Sequence, residues 1–214
     1  MSEQLTDLRS TRNPKARIKI MEGHFATVNS HINTYIDMST VKCRHNNGRE
    51  TARVLAEHFR NNTMVDTIVC LDGTEVIGAF MAEFLSDRGI MSINSGNNIS
   101  IITPDVNAYG QLVFMDSTIQ MIKNMQVLVL AASVTTGRTI AQAAEAVSYY
   151  GGTVGGVAAI FSNVEQTPEE MEIFSIFHKE DLPDYQAYQP SECPMCRRKQ
   201  PLDAIVNSFG YSKL

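Results

Sequence analysis

Residues 126–139 read QVLVLAASVTTGRT, and the way this stretch divides decides the fold. Val127, Leu128, Val129 and Leu130 form an uninterrupted apolar run, the pattern of a strand buried on both faces of a parallel sheet. Ala131, Ala132 and Ser133 follow, then Thr135-Thr136-Gly137-Arg138-Thr139, then an alanine-rich segment, 140–149, with helical periodicity. A strand that opens into hydroxyls and a glycine just before a helix has the make-up of a phosphate cradle. The helix offers free N–H groups and the positive end of its dipole, and the threonines add donors. The same loop also serves as an ordinary strand-to-helix turn, because threonine caps helices and glycine makes turns. Composition leaves the two readings level.

Outward from this stretch the alternation continues. Residues 66–71 read as a strand that runs into Asp72-Gly73-Thr74-Glu75 and a helix over 76–85. Gly73 and Thr74 suit backbone N–H contact with an anion, and Gly78 allows close helix packing. Asp72 and Glu75 fit a magnesium ion bridging to phosphate. They fit equally well as a helix cap that needs no ligand. Cys70 reads as a small core residue. A further strand is expected over 97–102, a loop over 103–109 and extended chain over 110–116. Gly151 and Gly152 end the 140–149 helix, and 157–161 is the next strand. The order predicts an α/β fold with a doubly wound parallel sheet. Ligands of such sheets bind at the carboxyl ends of the strands, where the 72–75 and 135–139 loops would meet.

Three segments make one compact unit: 1–65 as N-terminal arm, ribbon and first helix, 66–165 as the α/β core, and 166–214 as a C-terminal extension. The first twenty residues, polar and basic, are expected to form a helix or arm. Alternation in GHFATVNSH (23–31) and TYID (34–37) predicts a β-ribbon. His31 fits contact with a base or carboxylate, and fits a surface or hinge histidine. Residues 50–60 read as an amphipathic helix. Residues 174–214 read as a short irregular tail. In it, Cys193 and Cys196 have the spacing of a zinc knuckle or redox pair. A tetrahedral site needs two more ligands, to be found among Cys43, Cys70 and the five histidines, and no second CxxC or HxxxH exists. A metal-free tight turn is therefore expected and an intrachain zinc is not, with pairing across a dimer interface left open.

A hydrophobic content of 43% with 19% charged residues supports a full core in a globular chain. The net charge of −5 and the lack of a basic block argue against nucleic-acid binding. No apolar run is long enough to span a bilayer, so no membrane partner is expected. The N-terminus lacks the apolar core of a signal peptide, and four cysteines without one point to reduced thiols in a cytoplasmic protein.

The strand followed by SVTTGRT resembles the signature of the phosphoribosyltransferases that use phosphoribosyl pyrophosphate, in particular the orotate type. Residues 23–37 are similar to that type's hood segment, and the runs Leu182-Pro183-Asp184-Tyr185 and Cys193-Pro194-Met195-Cys196 to its C-terminal ending. The resemblance implies that Ser133, Thr135, Thr136, Gly137, Arg138 and Thr139 hold a 5-phosphate. It also implies that Asp72, Gly73, Thr74 and Glu75 form the pyrophosphate loop, that Phe25, Asn29 and His31 belong to the hood over the base, and that the protein is a homodimer using magnesium. Two departures stand out. The family's paired ribose-binding acids fall on Ala131 and Ala132, and no Lys or Arg lies between Asn97 and Gln120, where the family keeps a basic loop for the leaving pyrophosphate. Each missing carboxylate is worth roughly 1.5–3 kcal/mol of charge-assisted hydrogen bonding, so losing both is on the order of a thousandfold in rate. The expectation is an orotate phosphoribosyltransferase-like protein that binds a phosphoribosyl ligand with reduced or altered transfer. The alternative is active magnesium-dependent transfer to orotate or a related base, with an acid such as Asp116 or Asp105 replacing the missing pair.

Overall fold

The strands in chain order are β1 (Thr6–Arg9), β2 (Arg17–Ala26), β3 (His31–Asp37), β4 (Thr67–Cys70), β5 (Ser100–Ile102), β6 (Asp105–Val106) and β7 (Leu112–Val113). They continue with β8 (Gln126–Val134), β9 (Thr153–Ser162), β10 (Ile173–His178), β11 (Ala187–Tyr188), β12 (Ala204–Asn207) and β13 (Gly210–Lys213). The helices are α1 (Ser39–Cys43), α2 (His45–Phe59), α3 (Glu75–Ser86), α4 (Asp116–Ile119), α5 (Arg138–Tyr149) and α6 (Pro194–Arg197). These come from a computed structural model that describes residues 5–89, 91–182 and 184–214. The first four residues of the expected arm, and Pro183 of the Leu182-Pro183-Asp184-Tyr185 run, lie outside the described residues.

The core sheet is parallel throughout, in the order β10-β9-β8-β4-β5. Chain progression runs outward from β4 to β5 on one side and from β8 to β9 and β10 on the other. The order therefore reverses between β4 and β8, and a crevice opens beyond their carboxyl ends. The apolar run 127–130 is uninterrupted because both sheet faces are covered. Leu128 and Leu130 pack with Ile68, Leu55, Phe59, Met81 and Leu85, on the side of α2 and α3. Val127 and Val129 pack with Val69, Val157 and the α5 residues Ile140, Ala143 and Val147. Truncating fully buried Leu128 to Ala would cost about 2–5 kcal/mol. Gly78 has the packing role read from sequence, since a Cβ there would lie 2.5 Å from the Cys70 sulfur.

A second sheet forms the hood, in the order β11-β3-β2-β12-β13, with β1 on β2. The expected ribbon is the antiparallel pair β2–β3, irregular between Glu22 and Phe25. The N-terminal arm adds strand β1, not a helix. The C-terminal extension is more regular than its composition implies. Phe174 lies in β10, the edge of the core sheet, and β12 pairs in parallel with β2. In β12, Ala204 and Val206 point inward while Ile205 and Asn207 face out, an alternation too short to be distinctive in the sequence. Among the described residues no helix is long and apolar enough to cross a membrane.

Candidate functional site

A cavity of about 280 Å³ lies at the carboxyl ends of β4 and β8. Its floor is residues 131–140. Asp72, the hood turn 27–30, residues 35–39, Tyr185 and the turn of the β12–β13 hairpin form the walls.

The loop between β8 and α5 is built by one glycine. Gly137 is the N-cap of α5 with φ 78° and ψ −6°, the left-handed region that other residues enter only with strain. A Cβ there would also come within 3.1 Å of both Thr167 Cα and Pro168 Cδ. No side chain caps the helix, which leaves its first-turn N–H groups to an anion. Ser133, Thr136, Arg138 and Thr139 are exposed along the cavity, and the half-buried Thr135 hydrogen-bonds with Tyr185. Burial pushes the Tyr185 phenol pKa up, so it stays protonated.

The end of β4 is tighter. Asp72 and Gly73 both have positive φ, 60° and 75°. The Asp72 carboxylate accepts from the Ala132 N–H and the Ser208 hydroxyl. Burial raises its pKa above the usual carboxylate range, opposed by Lys42 and by those two hydrogen bonds. Lys42 donates to the Asp72 carbonyl at 2.9 Å and to the Ser208 carbonyl, and its ammonium sits 5.3 Å from the centre of the Phe209 ring. Burial lowers the Lys42 pKa, with Asp72 the main opposing charge. The fully buried Thr74 hydroxyl donates to the carbonyls of Leu71 (2.8 Å) and Leu130 (3.1 Å), stitching β4 to β8. Exposed Glu75 accepts from Thr103 at 2.9 Å. Of the 72–75 loop, only Asp72 lines the cavity.

Of the hood residues singled out in the sequence, Asn29 lines the cavity. Phe25 is buried against Tyr35, ring centres 6.0 Å apart. His31 faces His24, and the pair meets Cys193 and Cys196, which the sequence left without partners. Ala131 and Ala132 line the cavity floor at 1% exposure each. Asp105 sits in the β6–β7 hairpin and accepts from the Val106 N–H, and Asp116 opens α4. The cavity carboxylates are instead Asp72 and Asp37. Lys42 and Ser208 escaped the sequence reading because neither belongs to a local motif, and Tyr185, though part of the 182–185 run, was not read as a cavity residue because contacts far along the chain place it there.

No family model matches the chain. Orotate phosphoribosyltransferase of Chlorobaculum parvum is 25% identical over 198 residues, covering 86% of this chain and 88% of the relative. Among solved structures, Leishmania donovani UMP synthase matches 77% of this chain and 34% of its own, with TM-score 0.56 and 17% identity. Mycobacterium tuberculosis orotate phosphoribosyltransferase in complex with 5-phospho-alpha-D-ribosyl 1-diphosphate matches 69% of this chain and 82% of its own, with TM-score 0.51 and 18% identity. The structures establish the fold, and the sequence relative extends the likeness over most of the chain. The chain is thus similar in sequence to orotate phosphoribosyltransferases and shares the fold of these solved structures.

Proposed function

We propose that the cavity binds a 5-phosphoribosyl ligand, phosphoribosyl pyrophosphate or a nucleotide, and that transfer to a base is reduced or altered. The observation that carries this reading is an uncapped helix α5 behind a threonine-lined loop, directly beside two alanines. The 5-phosphate would accept hydrogen bonds from the N–H groups opening α5 and from the hydroxyls of Thr136 and Thr139, as a helix N-terminus favours. The ribose would lie over Ala131 and Ala132, which offer it no side-chain acceptor. A volume of about 280 Å³ suits a sugar phosphate, not a macromolecule.

Magnesium does not fit as the sequence reading placed it. Glu75 is engaged with Thr103, Thr74 is spent on backbone carbonyls, and the Asp72 carboxylate holds Ala132 and Ser208. A homodimer is a further expectation, to be read by light scattering of the purified chain.

One observation favours the active reading. Asp72 reaches the Ala132 N–H, so a carboxylate from the loop after β4 stands beside the position the paired acids occupy in the family. Turnover of phosphoribosyl pyrophosphate with orotate separates the two. Slow or absent transfer by the native chain, raised by Ala131→Glu together with Ala132→Asp, supports the first reading. Robust transfer by the native chain that Asp72→Asn abolishes overturns it in favour of the second.

A further inference from the structure

We propose that His24, His31, Cys193 and Cys196 form a tetrahedral zinc site that clamps the C-terminal extension to the hood. The four ligand atoms lie within 4.8 Å of one another. His24 Nε2 is 3.1 Å from His31 Nδ1, 3.5 Å from Cys193 Sγ and 3.7 Å from Cys196 Sγ, and Cys196 Sγ is 3.2 Å from His31 Nδ1. Zinc bonds of about 2.3 Å to sulfur and about 2.0 Å to nitrogen give tetrahedral edges of roughly 3.3–3.8 Å. The cluster already has nearly that size.

The surrounding hydrogen bonds aim the ligands. His24 Nδ1 lies 3.0 Å from the Gln200 carbonyl and 3.2 Å from the Pro201 carbonyl. Both oxygens only accept, so Nδ1 carries the proton and Nε2 turns its lone pair on the cluster, the usual arrangement of a metal-bound histidine. The His24 N–H donates to Asp203 at 2.7 Å, which fixes the strand beside the site. The tight turn read from the sequence is present: Arg197 N–H donates to the Cys193 carbonyl and Lys199 N–H to the Cys196 carbonyl. It brings both sulfurs to the same pair of imidazoles.

The two ligands the sequence could not supply come from either side of the hood turn, His24 on β2 and His31 on β3, seven residues apart. The cysteines sit 169 and 172 residues further along the chain from His24. Two thiolates and two neutral imidazoles form an uncharged S₂N₂ complex with a divalent ion, the donor set and geometry that select zinc. The bound ion would hold the turn 27–30, one wall of the cavity, against the C-terminal extension. Nothing in this assignment depends on what the cavity binds.

The test uses the full chain. After zinc loading and passage over a chelating resin, the native protein should retain about one zinc per chain by elemental analysis. Cobalt substitution should give the visible bands of a tetrahedral ion with thiolate charge transfer. Cys196 is exposed, so its alkylation, followed by mass spectrometry, should be blocked in the zinc-loaded protein and released by a strong chelator. Cys196→Ser should lose the zinc and the cobalt charge transfer, whereas Cys43→Ser should keep both. His31→Ala should weaken zinc by more than the roughly 10–100-fold typical of losing an outer hydrogen-bond partner. No retained zinc, an octahedral cobalt spectrum, or a native Cys196 that alkylates equally with and without zinc would overturn the site and leave a metal-free hydrogen-bonded cluster. The alkylation and cobalt measurements use native protein, so a misfolded variant does not spare the proposal.

Discussion

Two regions of this chain gather polar side chains around a point, and they do so in opposite ways. The cradle of Ser133, Thr135, Thr136, Gly137, Arg138 and Thr139 is contiguous, shaped by one positive-φ glycine and one helix end. The His24, His31, Cys193 and Cys196 cluster joins two strands of the hood to a turn near the other end of the chain. A contiguous site is written in the local sequence and needs the fold only to bury its back. A site assembled across the chain depends on the fold for its existence, and in return can tie that fold together. The two should therefore fail differently: the cradle through ligand affinity, the cluster through stability.

The largest expected effect is at the cradle. Thr136→Ala with Thr139→Ala removes two donors to a charged phosphate, about 3–6 kcal/mol of binding and at least a hundredfold in affinity. Thermal unfolding without ligand should barely move, because both residues are exposed. At the cluster the pattern should reverse. Cys193→Ser with Cys196→Ser should remove about 4 kcal/mol, the stabilisation expected at a metal concentration roughly a thousand times its Kd. Calorimetric unfolding of the zinc-loaded protein should fall by roughly 8–16 °C. Equal loss of stability from both pairs would break the distinction.

Gly137→Ala sits between the two. Its φ of 78° and the 3.1 Å approach to Thr167 and Pro168 predict about 1–2 kcal/mol of lost stability and a displaced first turn of α5. Denaturant unfolding and ligand titration on the same variant should both register it.

The smallest effect concerns pH. Asp72 has its folded pKa raised by burial, so between the unfolded carboxyl value of about 3.9 and that higher folded value the native state holds more protons than the unfolded one. Its contribution to stability therefore falls as pH rises through that window. Asp72→Asn should flatten this part of the pH–stability profile. A profile unchanged by the substitution would mean that the hydrogen bonds from Ala132 and Ser208 offset the burial in full.

The parallel sheet and the strand–glycine–helix turn after it were legible because their signals are local. The apolar run 127–130 marks a strand covered on both faces, and Gly137 before a helix marks its cap. The hood was legible as a β2–β3 ribbon from its alternation, but not as a sheet completed by β12, whose partner lies far along the chain. The 72–75 loop shows the limit within a motif. Gly73 and Asp72 turn at the crevice, yet Thr74 and Glu75, equally suitable by residue type, are drawn to Leu130 and Thr103 by packing no local pattern records. Phe25 lies in the hood strand β2 but turns into the core for a related reason. Strand alternation gives a side chain's face, not which face meets a cavity and which meets the core.

Isothermal calorimetry of the native chain with phosphoribosyl pyrophosphate, ribose 5-phosphate and plain ribose tests the central claim most directly. The account predicts saturable heat for the two phosphorylated ligands, none for ribose, and loss of both signals in the Thr136→Ala, Thr139→Ala protein. Absence of heat with all three ligands, or binding that the double substitution leaves intact, would contradict it.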